Sequence, residues 1–296
     1  MKYHMPGKKS LAVAALTIVV LTGCASSGSS TSSSALQTAL TDRGDYYADN
    51  TTSAVSQNSR VKFVIVHYTA ENEENSFNTL AKGNKVSAHY LVAEHPKMLG
   101  HKPVITQLVS ENRRAWHAGK SSWQGRNHIN DSSLGIEIVN KGFTEKNGVR
   151  QWYPYTEAQI NALALLLKDI IKRHEIEPNY VLGHSDIAPL RKQDPGKLFP
   201  WHRLAEQGIG AWPDAATVNK YLAGRSHFAP ADLLSLQQAL YQYGYDKIAL
   251  TGVLDEETQM TISAFQMHFR PTNISGKADA ETEAIAKALV EKYLTP

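Results

Sequence analysis

Cysteine is almost missing from this chain: Cys24 stands alone among 296 residues. That excludes an intrachain disulfide and any cysteine-built zinc knuckle. Acidic residues are missing from the first forty-one positions, where Lys2, Lys8 and Lys9 lie. Most of the formal charge of +3 is local to that segment, and without those three lysines 28 basic residues face 28 acidic ones. A balanced chain offers no electrostatic reason to bind nucleic acid, which rests on neutralising phosphates. Long apolar runs are missing too. The stretch from Leu11 to Leu21 is too short for a membrane span, which needs about 20 residues. No His-Glu-x-x-His helix and no Gly-x-Ser-x-Gly elbow occurs, so a helix-borne zinc peptidase and an elbow-type serine hydrolase lack their signatures.

The N-terminus carries what a secretory signal requires: Lys8-Lys9, an apolar run, then the small-residue zone Leu21-Thr22-Gly23-Cys24. That tetrapeptide resembles the lipobox of bacterial lipoproteins. The resemblance implies a signal peptide over residues 1–23 and acylation of Cys24, each acyl chain adding about 0.8 kcal/mol of membrane affinity per buried methylene. Ala25, in place of Asp, points by the same analogy to the outer membrane. Residues 24–59 are rich in Ser, Thr, Asn and Gly and read as a tether, with a typical end-to-end distance of about 30–35 Å.

Folded structure is expected from Val61. Val61-Lys-Phe-Val-Ile-Val-His67 is a β-branched strand, with similar signals at 86–92, 104–109, 134–139 and 180–182. A helix capped by Thr156, with Gln159 completing a capping box, carries the apolar stripe Ile160, Leu163, Ala164, Leu167, Ile170 and Ile171. Strands interleaved with helices define an α/β domain over residues 60–222. Residues 228–296 differ in texture and hold an internal repeat, Thr251-Gly-Val-Leu-Asp-Glu-Glu-Thr258 and Ser275-Gly-Lys-Ala-Asp-Ala-Glu-Thr282. Asp255 and Asp279 are placed to cap the helices that follow, and with Leu233, Leu236 and Leu240 in an earlier helix the segment reads as three helices.

Ionisable residues stand where apolar strands would otherwise continue. His67 and His184 end strands, Glu137 interrupts Leu134-Gly-Ile-Glu-Ile-Val139, and Asp194 sits in the loop Arg191-Lys-Gln-Asp-Pro-Gly196. A buried carboxylate such as Glu137 demands a cation nearby or a raised pKa. Two imidazoles and one carboxylate form a sensible zinc set with a fourth position left for water. Spacing alone leaves the alternative open, because a strand-end histidine is also a common satisfied core or surface group. His95, His101, His128 and His174 lack comparable context and read as surface residues.

Five segments in order carry a resemblance: Val64-Ile-Val-His67-Tyr-Thr69, Val86-Ser-Ala-His89-Tyr90, Ala115-Trp-His-Ala-Gly119, Gly135-Ile-Glu-Ile138, and Gly183-His-Ser-Asp-Ile-Ala-Pro-Leu-Arg-Lys-Gln-Asp-Pro-Gly196. Together they resemble the zinc N-acetylmuramoyl-L-alanine amidases, relatives of phage T7-lysozyme-type amidases and peptidoglycan-recognition proteins. The resemblance implies a mixed central sheet flanked by helices. It also implies a zinc ion held by His67, His184 and Asp194, Glu137 as general base, and Lys192 stabilising the oxyanion. It places Trp116, His117 and His89 along the substrate cleft. From the residues alone, Trp116 is equally a core residue, His117 a satisfied strand histidine, and His89 a group that orients its neighbours. The C-terminal segment resembles a three-helix peptidoglycan-binding domain. The implied partners are peptidoglycan and muropeptides, and the implied location is the periplasmic face of the outer membrane through the lipid on Cys24. A non-catalytic peptidoglycan receptor of the same fold is the rival reading, and the presence of all five residues His67, Glu137, His184, Lys192 and Asp194 weighs against it.

Overall fold

The computed structural model describes residues 40–295. The lipobox and Cys24 lie outside the described residues. Of the described residues, 40–57 belong to one unit and 58–295 to another. In the first, Leu40–Asp42 pairs antiparallel with Tyr47–Asp49, and the Asp42 carboxylate accepts from the Gly44 amide at 2.8 Å to set the turn. The expected tether therefore contains a hairpin near its end. Its polar composition conceals it, because backbone pairing and an Asx turn hold it without a buried core.

The second unit is built on a five-stranded sheet whose strands, by first residue, run in the order 181, 63, 133, 90, 106. Phe63–Tyr68, Ser133–Ile138, Tyr90–Val92 and Val181–Gly183 are mutually parallel, and Thr106–Gln107 adds an antiparallel edge. The sheet is mixed, as the resemblance implies. The expected strands at 86–92 and 104–109 shorten to these pieces, since His89 is a bonded polar anchor and Ile105 packs into the core.

The two faces of this sheet are covered differently. Val64 and Val66, with Leu134, Ile136 and Ile138, pack on Ile160, Leu163, Leu167 and Ile170 of the long helix Glu157–His174. Thr156 caps that helix by accepting from the Gln159 amide at 3.1 Å. Gln159 does not complete the expected capping box. Its side chain is buried and donates to the carbonyls of Ala93 and Val139, tying the helix start to the sheet.

Phe63 and Ile65 face the other way, into a second core shared with the C-terminal helices Leu233–Tyr243, Glu256–Phe269 and Ala280–Leu294. The three expected helices are present, with Asp232, Asp255 and Asp279 capping their starts. The internal repeat has a physical basis. The Gln237 side-chain Oε1 accepts from the Thr251 and Gly252 amides, and the Gln266 Oε1 from the Gly276 amide, so each helix clamps the turn opening the next. The helix Ala215–Leu222 ends the expected α/β segment, yet Leu222 packs on Ala280 and Ala284 of the last helix.

The sheet lobe and helical lobe interlock at Trp123, which is fully buried against Tyr243 and Tyr245 at ring distances of 5.7 and 5.0 Å. Gly244 between those tyrosines has φ +157°, and a Cβ there would lie 2.4 Å from the indole. Only glycine permits that approach. Among the described residues no helix is long and apolar enough to cross a membrane.

Candidate active site

Three parallel strands end side by side and deliver the functional groups. Glu137 pairs in register with His67, and Gly183 with Val66, so His184 emerges beside His67. In an open parallel sheet the carboxyl ends of the strands are where ligand sites form. The loop after His184 returns Asp194 to the same place, with the Ser185 amide donating to the Asp194 carbonyl at 2.9 Å. Ser185 is buried at this junction, consistent with a structural role.

The His67 Nδ1, His184 Nδ1 and Asp194 Oδ2 atoms form a triangle with edges of 3.0, 2.9 and 2.9 Å. All three residues are buried. The hydrogen bonds around them determine where the ring protons sit. The Ser133 hydroxyl donates to the Ile129 carbonyl at 2.7 Å, so it accepts from His117 Nε2 at 3.1 Å. His117 Nδ1 is then an acceptor, and His67 Nε2, 3.0 Å away, donates to it. His184 Nε2 faces the Ala118 carbonyl at 3.2 Å. The neighbouring Arg191 Nη2 has no proton to offer it, having donated to the carbonyls of Ala118 and Lys120. Both Nδ1 atoms are therefore unprotonated in the neutral rings. Two lone pairs and a carboxylate oxygen converge with no proton between them, a constellation that a cation satisfies.

Electrostatics agree. Burial, reinforced by the His184 charge, pushes the His67 imidazole down to about 4, and burial holds His117 well below its ordinary value. Burial would raise Asp194, but the two adjacent imidazoles outweigh it and hold the carboxyl far below the carboxylate range. Glu137 behaves oppositely. Burial, with the Asp194 charge added and Lys192 opposing, pushes it up to about 8. Its Oε2 is buried without a hydrogen-bond partner. Lys192 lines the same cleft of about 500 Å³, together with Glu137 and the triad.

The other expected site residues divide. Trp116 is 52% exposed on the cleft wall, with the Arg114 guanidinium 4.1 Å from its ring centre, so it is not core. His117 reaches the cleft floor with both ring nitrogens engaged by protein, and through them it buttresses His67. Its ring lies over Gly135, where a Cβ would sit 2.3 Å away, so the strand glycine makes room for it. His89 is fully buried, its Nδ1 accepting from the Gly135 amide and its Nε2 facing the Arg113 carbonyl at 3.0 Å. No atom of it is left for substrate, and its role is to hold the strand carrying Glu137. His174, expected at the surface, is part of a clamp in which Glu111 also takes Arg173 and Tyr90.

Sequence reasoning missed Ser133, Arg191 and a buried clasp around Asp186. Asp186 lies two residues after His184 and accepts from the Gly183 amide at 2.7 Å, the Tyr245 hydroxyl at 2.6 Å and His268 Nδ1 at 2.7 Å. The last two come from the helical lobe. No local signal marks them, since they meet Asp186 across 59 and 82 residues of chain.

This is the build of a wall-directed amide hydrolase with an appended binding module, and sequence profiles give the class its name. The N-acetylmuramoyl-L-alanine amidase profile matches residues 57–197, and a peptidoglycan binding domain profile matches residues 230–285. The chain belongs to the N-acetylmuramoyl-L-alanine amidase family. It is 49% identical over 254 residues to the N-acetylmuramoyl-L-alanine amidase AmiD of Escherichia coli (strain K12), covering 86% of this chain and 91% of that protein. The solved complex of that E. coli enzyme with anhydro-N-acetylmuramic acid-L-Ala-D-gamma-Glu-L-Lys superposes with a TM-score of 0.81 at 48% identity, over 86% of this chain and 98% of the other. AmpDh3 from Pseudomonas aeruginosa in complex with anhydromuramic pentapeptide gives a TM-score of 0.72 at 42% identity, over 86% and 98%.

Proposed function

We propose that this enzyme hydrolyses the amide bond between N-acetylmuramic acid, in ordinary or anhydro form, and the L-alanine of the stem peptide. The observation that carries this reading is the proton-free triangle of His67 Nδ1, His184 Nδ1 and Asp194 Oδ2 beside the unpartnered Oε2 of Glu137. Two histidines and one carboxylate suit zinc, and they leave a coordination position free for water. Bound zinc supplies Lewis acidity and lowers the pKa of its water towards neutrality. Glu137 Oε2 takes the proton of the attacking water and passes it to the departing alanine amine. Lys192 faces the oxygen on which negative charge develops and stabilises it. The Ala118 carbonyl and the His117–Ser133 pair hold the two imidazoles in the tautomers that leave Nδ1 free. A pure receptor of this fold has no use for such a set, and the catalytic relatives at 49% and 42% identity favour hydrolysis.

The helical lobe fits a wall-holding role, raising the effective concentration of substrate at the cleft. Cys24 would carry the lipid that keeps the enzyme at the outer membrane, facing the periplasm. Mass analysis of products from defined muropeptides tests the reaction. Free alanine-terminated stem peptide and peptide-free sugar are expected, and both disappear on chelation and return with zinc. Cleavage between amino acids instead would refute the assignment. For the anchor, Cys24→Ala is expected to move the protein from the membrane to the soluble fraction on cell fractionation.

A further inference from the structure

The strand Tyr90–Val92 leads at its carboxyl end into a small hairpin before the chain returns to the sheet at Thr106–Gln107. Met98–Leu99 pairs antiparallel with Lys102–Pro103, and the Val104 amide donates to the Lys97 carbonyl at 2.7 Å to close the base. Gly100 and His101 form the tip. Gly100 has φ +60°, and a Cβ there would meet nothing within 4 Å, so the tip stands in open space.

The side chains on this hairpin are the reverse of what solvent favours. Successive residues of a strand point to opposite faces, so a hairpin that merely covered a core would bury either Met98 or Leu99. Neither is buried: Met98 is 59% exposed, Leu99 78%, and Val104 at the base 48%. Turns that face water are ordinarily polar. Apolar side chains on both faces of a projecting tip form a wedge suited to an apolar medium. Charge around the wedge has one sign. Lys97 and Lys102 flank it together with His95 and His101, and no acidic residue occurs between Glu94 and Glu111. Glu111 is itself occupied by Arg173 and His174. A cationic collar around aliphatic side chains matches the two layers of an anionic lipid surface, phosphate outside and hydrocarbon within. Sugars stack on aromatic faces, and residues 95–110 contain no Phe, Tyr or Trp, so the chemistry favours lipid over the glycan of the wall.

We propose that the hairpin over residues 95–104 is an interfacial membrane contact. It sets Met98 and Leu99 among the acyl chains of an anionic phospholipid surface, with Lys97 and Lys102 at the phosphates. The contact is separate from the acyl anchor on Cys24 and from the amide chemistry, and it adds a second attachment that fixes orientation as well as proximity. Tyr90–Val92 lies parallel to the strand of Glu137, so the hairpin leaves the sheet at the end where His67 and Glu137 emerge. Membrane contact there holds the catalytic cleft at a set height above the lipid.

The test uses the mature chain, residues 24–296, carrying Cys24→Ala so that no acyl chain contributes, and vesicles of phosphatidylglycerol and phosphatidylcholine in equal parts. Co-sedimentation with these vesicles is expected, and it should be about tenfold weaker with pure phosphatidylcholine or in about 0.5 M salt, where the charges are screened. Met98→Ser and Leu99→Ser together are expected to lower the partition coefficient about tenfold. Lys97→Gln with Lys102→Gln should abolish the preference for anionic lipid. Thermal melting at the parent temperature shows that both paired variants are folded, whatever the outcome for the amidase reaction. Unaltered partitioning of the paired serine variant would overturn the proposal, as would equal binding of the parent chain to neutral vesicles. If the serine substitutions instead abolished sedimentation with isolated peptidoglycan and left vesicle binding intact, the hairpin would belong to the wall. A dimer in solution that the same substitutions dissolve, again with vesicle binding intact, would assign the apolar tip to a second copy of the chain.

Discussion

Glu137 shows how one residue can be readable and still surprising. Its place inside Leu134–Val139 announces a carboxylate in an apolar strand, and the register beside His67 explains why the chain tolerates it there. The size of its displacement depends on Asp194 and on burial, neither of which the strand pattern contains. In the metal-free protein the folded carboxyl holds its proton up to about 8, while the unfolded chain releases it near 4.5. The folded state therefore binds more protons between these values, and stability falls as pH rises through the window. His67, pushed down to about 4 from 6.5, acts in the opposite sense but only below 6.5. From 6.5 to 8 the Glu137 contribution stands clear, about 2 kcal/mol at 1.36 kcal/mol per pH unit. Urea titrations of chelated protein at the two pH values should show that loss, and Glu137→Gln should remove it. The same substitution is expected to keep the zinc while lowering kcat by about 10²- to 10⁴-fold. A flat stability profile in the parent protein would mean that Glu137 is already ionised there.

At the scale of elements, strand ends and the Pro/Gly-bounded loop at Asp194 were legible because period-2 apolar runs and turn residues are local signals. Contacts that support the site were not. Ser133 under His117, and Tyr245 and His268 on Asp186, join distant elements with no periodicity to betray them. Yet they govern the short helix His184–Ile187, which begins at one proposed zinc ligand and is too brief to hold itself in place. Asp186 anchors it by accepting from the helical lobe, and the buried Tyr245 hydroxyl is held well above its ordinary pKa by burial and then by the Asp186 charge. Tyr245→Phe removes one hydrogen bond from a buried carboxylate and leaves the ring in place. A cost of about 1–3 kcal/mol in unfolding free energy is expected, with weaker zinc retention in a competition titration against a chelator. Unchanged zinc affinity together with lowered stability would restrict Tyr245 to a packing role.

Over the whole molecule, the two texture-defined segments of the sequence do not behave as beads on a string. A tether joining independent modules would leave each with its own closed core, but Phe63 and Ile65 of the sheet share a core with Leu240, Phe265 and Leu289 of the helices. Trp123 sits at the seam with Tyr243, Gly244 and Tyr245 wrapped around it, and Gln124 bonds to the carbonyls of Tyr243 and Gly244. Removing the helical lobe would strip the cover from the sheet face that carries the catalytic cleft, so neither part is expected to melt alone. Calorimetry of residues 58–296 should give one transition with calorimetric and van't Hoff enthalpies in agreement. Trp123→Ala, which empties a fully buried aromatic site, should cost about 3–5 kcal/mol. Because the indole belongs to both lobes, that loss should move the single transition as a whole. Two separated transitions in the parent protein, or a Trp123→Ala variant in which only one half melts early, would mean that the shared core does not couple the lobes.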